Sequence, residues 1–287
     1  MDHPKTDSFK KARREKRSVT MVYILLRTSV VLVMLAQIFN RNFENVLLCV
    51  LTLVLFMLPS AFERRLHIDL PDTLEIVILL FIYAAEILGE IQSFYVHFPY
   101  WDTVLHTLNG FLCAAIGFAL VDILNREERV SLSLSPFYMA VMAFCFSMTI
   151  GVLWEFFEFS MDHLFLMDMQ KDTVINTIST VNLDPNHGTA AVIIRGIQDT
   201  ILVLEDGTQI PMGLGGYLDV GIIDTMEDLF VNFIGATVFS VIGYFYLKHR
   251  GEGKFAKAFI PTIEETDKEP DSDHVKEPSQ EAENRDN

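Results

Sequence analysis

The sequence predicts an all-α polytopic membrane protein: six transmembrane helices with a small extracytoplasmic β-hairpin insertion between helices 5 and 6. Three observations predict it. The chain is 51% hydrophobic with mean hydropathy +0.31 and 23 Phe, and its apolar residues are bunched into runs of the length that crosses a hydrocarbon core. Basic residues recur in alternate short connections, as the positive-inside bias requires. The one long connection, 162–223, holds short β-branched runs separated by turn residues.

Residues 1–20 form a basic head, with Lys10, Lys11, Arg13, Arg14, Lys16 and Arg17 standing directly before an apolar run. That position makes the head a topology determinant and not a nucleic-acid patch, so no nucleic-acid partner is expected. The apolar runs define spans at 21–39, 45–62, 72–92, 101–123, 136–161 and 224–247. The first lacks a small-x-small cleavage site and has a long apolar centre, which reads as a retained anchor. Thus 21–161 holds helices 1–5, 162–223 an extracytoplasmic loop, 224–250 helix 6, and 251–287 an acidic cytoplasmic tail. The tail holds much of the net charge of −16, beginning with Glu264, Glu265, Asp267 and Glu269. Such composition cannot build a core and is expected to be disordered. Cys49, Cys113 and Cys145 all lie in apolar runs without the spacing of zinc ligands, and read as small packing residues.

Orientation follows from the short loops. The head, Arg64-Arg65, Arg126 with Arg129, and Lys248-His249-Arg250 alternate onto one side, which places both termini in the cytoplasm. Trp101 and Trp154 then fall toward the outer interface. Within the long loop, 190–194, 200–204 and 208–210 read as strands, with Glu205-Asp206-Gly207 as a hairpin turn. Asp168, Asp172 and Asn176 repeat the spacing of Asp224, Asp228 and Asn232, which predicts an interfacial helix over 168–180.

The chemistry lies in eight carboxylates and one histidine placed in or beside the spans: Glu86, Glu90, Asp102, His106, Glu155, Glu158, Asp162, Asp224 and Asp228. An ionised group at the bilayer centre costs roughly 2.5–3.5 kcal/mol even on the lenient insertion scale. In the expected orientation all of them sit in the outer third of the bilayer. Asp102, His106 and Asn109 fall on one helical face, as do Glu155, Glu158 and Asp162, and Asp224, Asp228 and Asn232. Gly110, Cys113 and Gly117, Gly151, and Gly235 continue those faces and permit close helix approach. The expected product is a shared polar pocket, with Glu86, Glu90, Asn109, Asp162 and Asn232 in supporting positions. Simpler roles compete: Asp102 and Asp224 are suited to capping helices, Glu86 and Glu90 to reaching headgroups, and His106 to one interhelical hydrogen bond.

No Lys or Arg is expected at that depth, so the acids require protons, a metal ion or a cationic ligand. Oxygen donors with one imidazole suit Mg²⁺, Mn²⁺ or Ca²⁺, and also Zn²⁺. The candidate ligands of a divalent metal are Asp102, His106, Glu155, Glu158, Asp224 and Asp228, and the candidate catalytic groups are His106, Glu155 and Glu158. The arrangement is similar to carboxylate-bridged sites in helical bundles, without their Glu-x-x-His pairs.

The order Trp101-Asp102-x3-His106-x3-Gly110, Trp154-Glu155-x2-Glu158, then Asp224-x3-Asp228-x3-Asn232-x2-Gly235-Ala236 resembles the YjdF-type family of bacterial inner-membrane proteins. More distantly it is similar to VanZ-like membrane proteins. The resemblance covers spans 3–6 and implies a multi-pass protein of the bacterial plasma membrane; it implies no activity. Three functions stay open at this point. The first is a divalent-cation-dependent protein acting on or binding an outer-leaflet lipid, an envelope precursor or a small-molecule substrate. The second is an ion- or proton-coupled transporter, although no inverted repeat is visible. The third is a non-catalytic membrane scaffold whose acids fix helix packing. Partners beyond the lipid bilayer, and the oligomeric state, are not specified by the sequence.

Overall fold

The computed structural model describes residues 4–66, 68–126, 134–249, 253 and 257–263. Arg129, Arg250 and the acidic run from Glu264 onward, on which parts of the orientation and tail readings rest, lie outside the described residues. Helix α1 (Pro4–Phe39) joins the head to the first apolar run without a break. Asn42 starts α2 (Phe43–Leu55) by accepting the Asn45 amide at 3.2 Å. Pro59 ends it, because a proline ring clashes with the carbonyl four residues back, here Leu55, and offers no N–H. The chain turns at Phe56-Met57 and continues as α3 (Leu58–Leu66). Ser135 caps α7 (Pro136–Phe165) by accepting the Tyr138 amide at 3.3 Å, with Pro136 in the favoured first position.

Among the described residues, five helices are long and apolar enough to cross a membrane: Ser18–Phe39, Phe43–Arg65, Trp101–Asn125, Pro136–Phe165 and Ile222–Lys248. The stretch expected as the third span, 72–92, is built differently. Helix α4 (Asp72–Tyr83) has 12 residues and passes directly into a π-helical stretch, Ala84–Ile91, of 8 residues. Neither part alone reaches spanning length, although together they form one continuous helical rod.

The helices fall into two groups. Helices α6 (Trp101–Arg126), α7 and α8 (Ile222–Lys248) pack on one another around Leu112, Ala115, Phe118, Met139 and Phe239. Helices α1, α2 and α4 pack around Leu26, Val30, Cys49, Phe56 and Leu79. Close approach is tightest between α6 and α8. A Cβ on Gly110 would lie 2.2 Å from the Asn232 carbonyl oxygen, and one on Gly235 would lie 2.0 Å from the Thr107 carbonyl oxygen. Ser147 ties α7 to the same point by donating to the Gly110 carbonyl at 2.7 Å. Large apolar side chains such as Leu25, Leu32, Phe156 and Phe230 remain exposed on the outer helix faces, as a lipid-facing surface requires.

The connection between α7 and α8 contains strands, not the helix expected over 168–180. Strands β2 (Thr173–Ile175) and β3 (Thr177–Thr180) occupy that segment, and Asp168, Asp172 and Asn176 lie on coil between or before them. The β-branched content of Thr173-Val174-Ile175 and Thr177-Ile178 outweighs the four-residue spacing of the acids. The echo of the α8 pattern is therefore a matter of spacing alone. Nor is there one three-stranded cap. β2 pairs with β7 (Tyr217–Asp219), β3 with β4 (Val192–Arg195), and β5 (Ile201–Val203) with β6 (Gln209–Pro211), each pair antiparallel. The β5–β6 turn is Glu205-Asp206-Gly207, with Gly207 at φ 83°. Asp206 accepts the Thr208 amide at 2.9 Å, and this contact together with the Thr208 side chain holds its carboxyl below the usual pKa.

Part of the segment expected as tail is drawn into the fold. Residues 262–263 form strand β8, which pairs with β1 (Ile68–Asp69) at the bundle end away from the long connection. Just before it, Ile260 is buried with Leu70, Leu74 and Leu112, and Phe259 stacks edge-on to Phe111 at 5.2 Å. Its apolar residues, Phe259-Ile260-Pro261, give it a reason to leave solvent.

Gly235→Val is expected to destabilise the protein by about 3 kcal/mol or more, because the added atoms meet rigid backbone on α6. Thermal unfolding in detergent checks this; a melting temperature equal to that of wild type would contradict the contact.

Candidate functional site

The cluster forms where α6, α7 and α8 meet near the long connection. His106 is one turn into α6, and its ring is buried at 8% exposure. Its Nε2 stands 3.5 Å from Asp102 Oδ1 and 3.7 Å from Asp228 Oδ2, and its Nδ1 stands 3.8 Å from Glu155 Oε1. These separations are too long for hydrogen bonds. The imidazole thus stands among three carboxylates without bonding directly to any of them.

Two sets of donor atoms result. Ligand atoms of His106, Glu155, Glu158 and Asp228 all lie within 4.8 Å of one another, and so do those of Asp102, Asp224 and Asp228. Glu155, Glu158 and Asp228 are 4%, 7% and 4% exposed, yet Glu155 Oε2, Glu158 Oε2 and Asp228 Oδ2 have no hydrogen-bond partner. Buried carboxylate oxygens are normally satisfied, since leaving one bare costs about 1–3 kcal/mol. All three residues with bare oxygens belong to the donor set around His106, which could hold a metal ion.

Neighbouring contacts hold the donors in place. The Trp154 indole donates to Glu158 Oε1 at 2.9 Å, fixing one carboxylate oxygen and leaving the other free. One layer deeper, Asn109 donates to Asn232 at 3.3 Å, and Asn232 is 1% exposed between α6, α7 and α8. The Asn pair links α6 to α8 directly beneath the cluster. Helix α8 starts at Ile222 after Gly221, and Asp219 accepts the Ile223 amide at 3.0 Å. Asp224 is thus inside the helix, and the capping role open to it in sequence falls to its neighbours. Its Oδ2 accepts the Lys171 amide at 2.7 Å, which ties the connection to the site.

Not every expected residue joins. Asp162 accepts the Met169 amide at 2.6 Å and the Gln170 amide at 2.8 Å, so it shapes the turn after α7, where Leu166 takes a left-handed conformation. Glu86 and Glu90 stand on the π-helical stretch and line the same cleft from across the gap, outside both donor sets. π-Helical segments are frequent at functional sites, and Trp101 steadies this one by donating to the Ala84 carbonyl at 3.3 Å.

The expectation that no basic residue reaches the acids is corrected by Lys171. It arrives from the connection, lines the cleft beside Asp102 and Glu90, and donates its ammonium to the Asp168 carbonyl. Tyr95, Met167 and Met169 line the cleft too; the one-turn helix α5 (Phe94–His97) delivers Tyr95 and the long connection delivers the methionines, and neither has a period that sequence shows. The cleft has a volume of about 350 Å³ and runs between the two helix groups, past Leu55, Phe81 and Leu105. An apolar cavity of about 180 Å³ shares Leu58, Phe81, Ile82 and Asn109 with it and extends to Pro261.

Fold and site together define a polytopic helical membrane protein with a buried acidic and histidine cluster. The chain belongs to the family described as predicted membrane protein (DUF2238), whose model matches residues 21–249. It is similar to an uncharacterized protein of Thermotoga maritima, with 26% identity over 106 residues, or 37% of this chain and 53% of that protein. The chain therefore spans about half the length of the curated relative it matches. No solved structure matches.

Trp154→Phe removes the donor to Glu158 and is expected to cost about 1–2 kcal/mol. On a Glu158→Leu background the same change is expected to cost nothing further. A double-mutant cycle of unfolding free energies in detergent checks the pair, and additive effects would deny the contact.

Proposed function

We propose that this is a divalent-cation-dependent protein of the bacterial plasma membrane that acts on, or binds, an outer-leaflet lipid or envelope precursor. The observation that supports it most is the set of bare, buried oxygens on Glu155, Glu158 and Asp228 around His106. Carboxylates at this density repel one another unless positive charge joins them. A hard divalent ion with oxygen and imidazole ligands meets the need. It would polarise a phosphoryl or acyl oxygen and lower the pKa of a bound water. His106 or one of the glutamates would then serve as general base.

The lipid reading rests on the cleft. Its acidic end lies beside the long connection, and its walls become wholly apolar toward Leu58, Phe81 and Ile82. A molecule with a polar head and a hydrocarbon chain matches that gradient. We further infer six crossings, with the rod formed by α4 and the π-helical stretch as the third, and both termini cytoplasmic. The alternation of basic connections supports this orientation. The residues behind the YjdF-type resemblance all lie within 21–249, the range of the matched family, which supports reading the two as related.

Elemental analysis of the purified full-length protein tests the cation. Wild type is expected to retain at least one equivalent of a divalent metal after desalting, and the Glu155→Ala, Glu158→Ala double variant less than about a tenth of that. Wild type without metal, even after loading with Mn²⁺, would overturn the reading. Orientation has its own check. Asp206→Cys in intact cells is expected to react with a membrane-impermeant maleimide, whereas labelling only after lysis would reverse the orientation.

A further inference from the structure

We infer that the site holds two divalent cations bridged by the Asp228 carboxylate. The inference rests on the cation reading above and goes beyond it in number and arrangement. His106, Glu155, Glu158 and Asp228 form one donor set, and Asp102, Asp224 and Asp228 form another, with Asp228 common to both. Every pair of donor atoms within a set lies within 4.8 Å. Metal–oxygen bonds of about 2.0–2.6 Å put adjacent ligand atoms about 3–3.7 Å apart, so each set needs only a small contraction to close on an ion. Asp228 is 4% exposed with a bare Oδ2, and this second observation singles it out among the acids. A buried carboxylate between two donor sets, with oxygen to spare, has the geometry of a bridge.

Charge decides the number. The two sets contain five carboxylates, those of Asp102, Glu155, Glu158, Asp224 and Asp228, and one neutral imidazole. With all five ionised, one divalent ion would leave three negative charges uncompensated among buried and half-buried residues. Two ions leave one, next to the rim where Lys171 lines the cleft. Low dielectric penalises each uncompensated charge heavily, so the two-ion state is the better neutralised.

The sets also differ in character. The first is closed in by Trp154 and the helix packing, with all four of its residues buried. The second is more open: Asp102 and Asp224 are only partly buried, and Asp102 lines the cleft. An ion held there keeps positions for water or substrate oxygen. Paired ions about 3.5–4 Å apart clamp both the attacking and the leaving oxygen of a displacement at phosphorus. The substrate class that fits is an anionic phosphoester at the head of a lipid.

Loading the full-length protein in detergent with Mn²⁺, followed by desalting, tests the pair by metal content and electron paramagnetic resonance. Wild type is expected to bind two equivalents and give an exchange-coupled spectrum. Asp224→Asn, and independently Asp102→Asn, are expected to fall to one equivalent with the spectrum of an isolated ion. Two variants are used so that a folding defect in one, seen by gel filtration, leaves the other decisive. One equivalent in wild type, or two without coupling, would overturn the bridged pair while leaving the single-cation reading intact. No bound Mn²⁺ in wild type would overturn both.

Discussion

Where α6 crosses α8, the two backbones lie so close that Gly110 and Gly235 leave no room for even a methyl group. In a membrane this contact has no help from the hydrophobic effect between helices, since lipid is as apolar as a side chain. Packing and interhelical hydrogen bonds must hold it. The Asn109–Asn232 pair and the Ser147–Gly110 bond supply them at the same level. Everything above that level inherits its position: His106 is one turn before Gly110, and Asp228 one turn before Asn232. The cluster is thus a product of how near two glycines allow two helices to come.

That closeness creates the electrical problem that the site must solve. Three carboxylates on α7 and α8 are pressed around an imidazole with oxygens left bare. Apolar residues of similar size would pack the same space at lower cost, so helix packing alone is a weak account of the set. On the cation reading proposed above, positive charge in the site is what makes the acids tolerable. The surrounding contacts are consistent with that need, since Trp154 holds one oxygen of Glu158 and leaves the other for something else.

Much of this was legible in the chain. Helical spacing alone groups Asp102 with His106, Glu155 with Glu158, and Asp224 with Asp228, and these are the residues that converge. The apolar run beginning at 136 marks the start of α7, where Ser135 caps the helix. What escaped has physical reasons. Asp162 has the same spacing as its neighbours on α7, but it sits where the chain leaves the helix and takes amide bonds there instead. Lys171 belongs to no pattern, because a coil delivers it and coils have no period. The π-helical stretch is invisible for a related reason: its sequence reads as ordinary apolar helix, and its contacts, Tyr95 against Gly89 and Trp101 to the Ala84 carbonyl, come from residues further along the chain. The strands at 173–180 were signalled by β-branched residues and obscured by a coincidence in the spacing of three polar side chains.

The return of residues 257–263 to the bundle sets an order on assembly. The two helix groups touch each other sparingly, and Phe259 and Ile260 fill part of the space between them. These residues follow the last span in the chain, so every helix is synthesised before the piece that seals the seam exists. Until then the apolar passage between Leu58 and Ile116 lacks Pro261, the one residue of this segment that lines it. The wall of that passage is therefore completed only after α8 has been made, and a ribosome that stalls there leaves the helices without this packing segment.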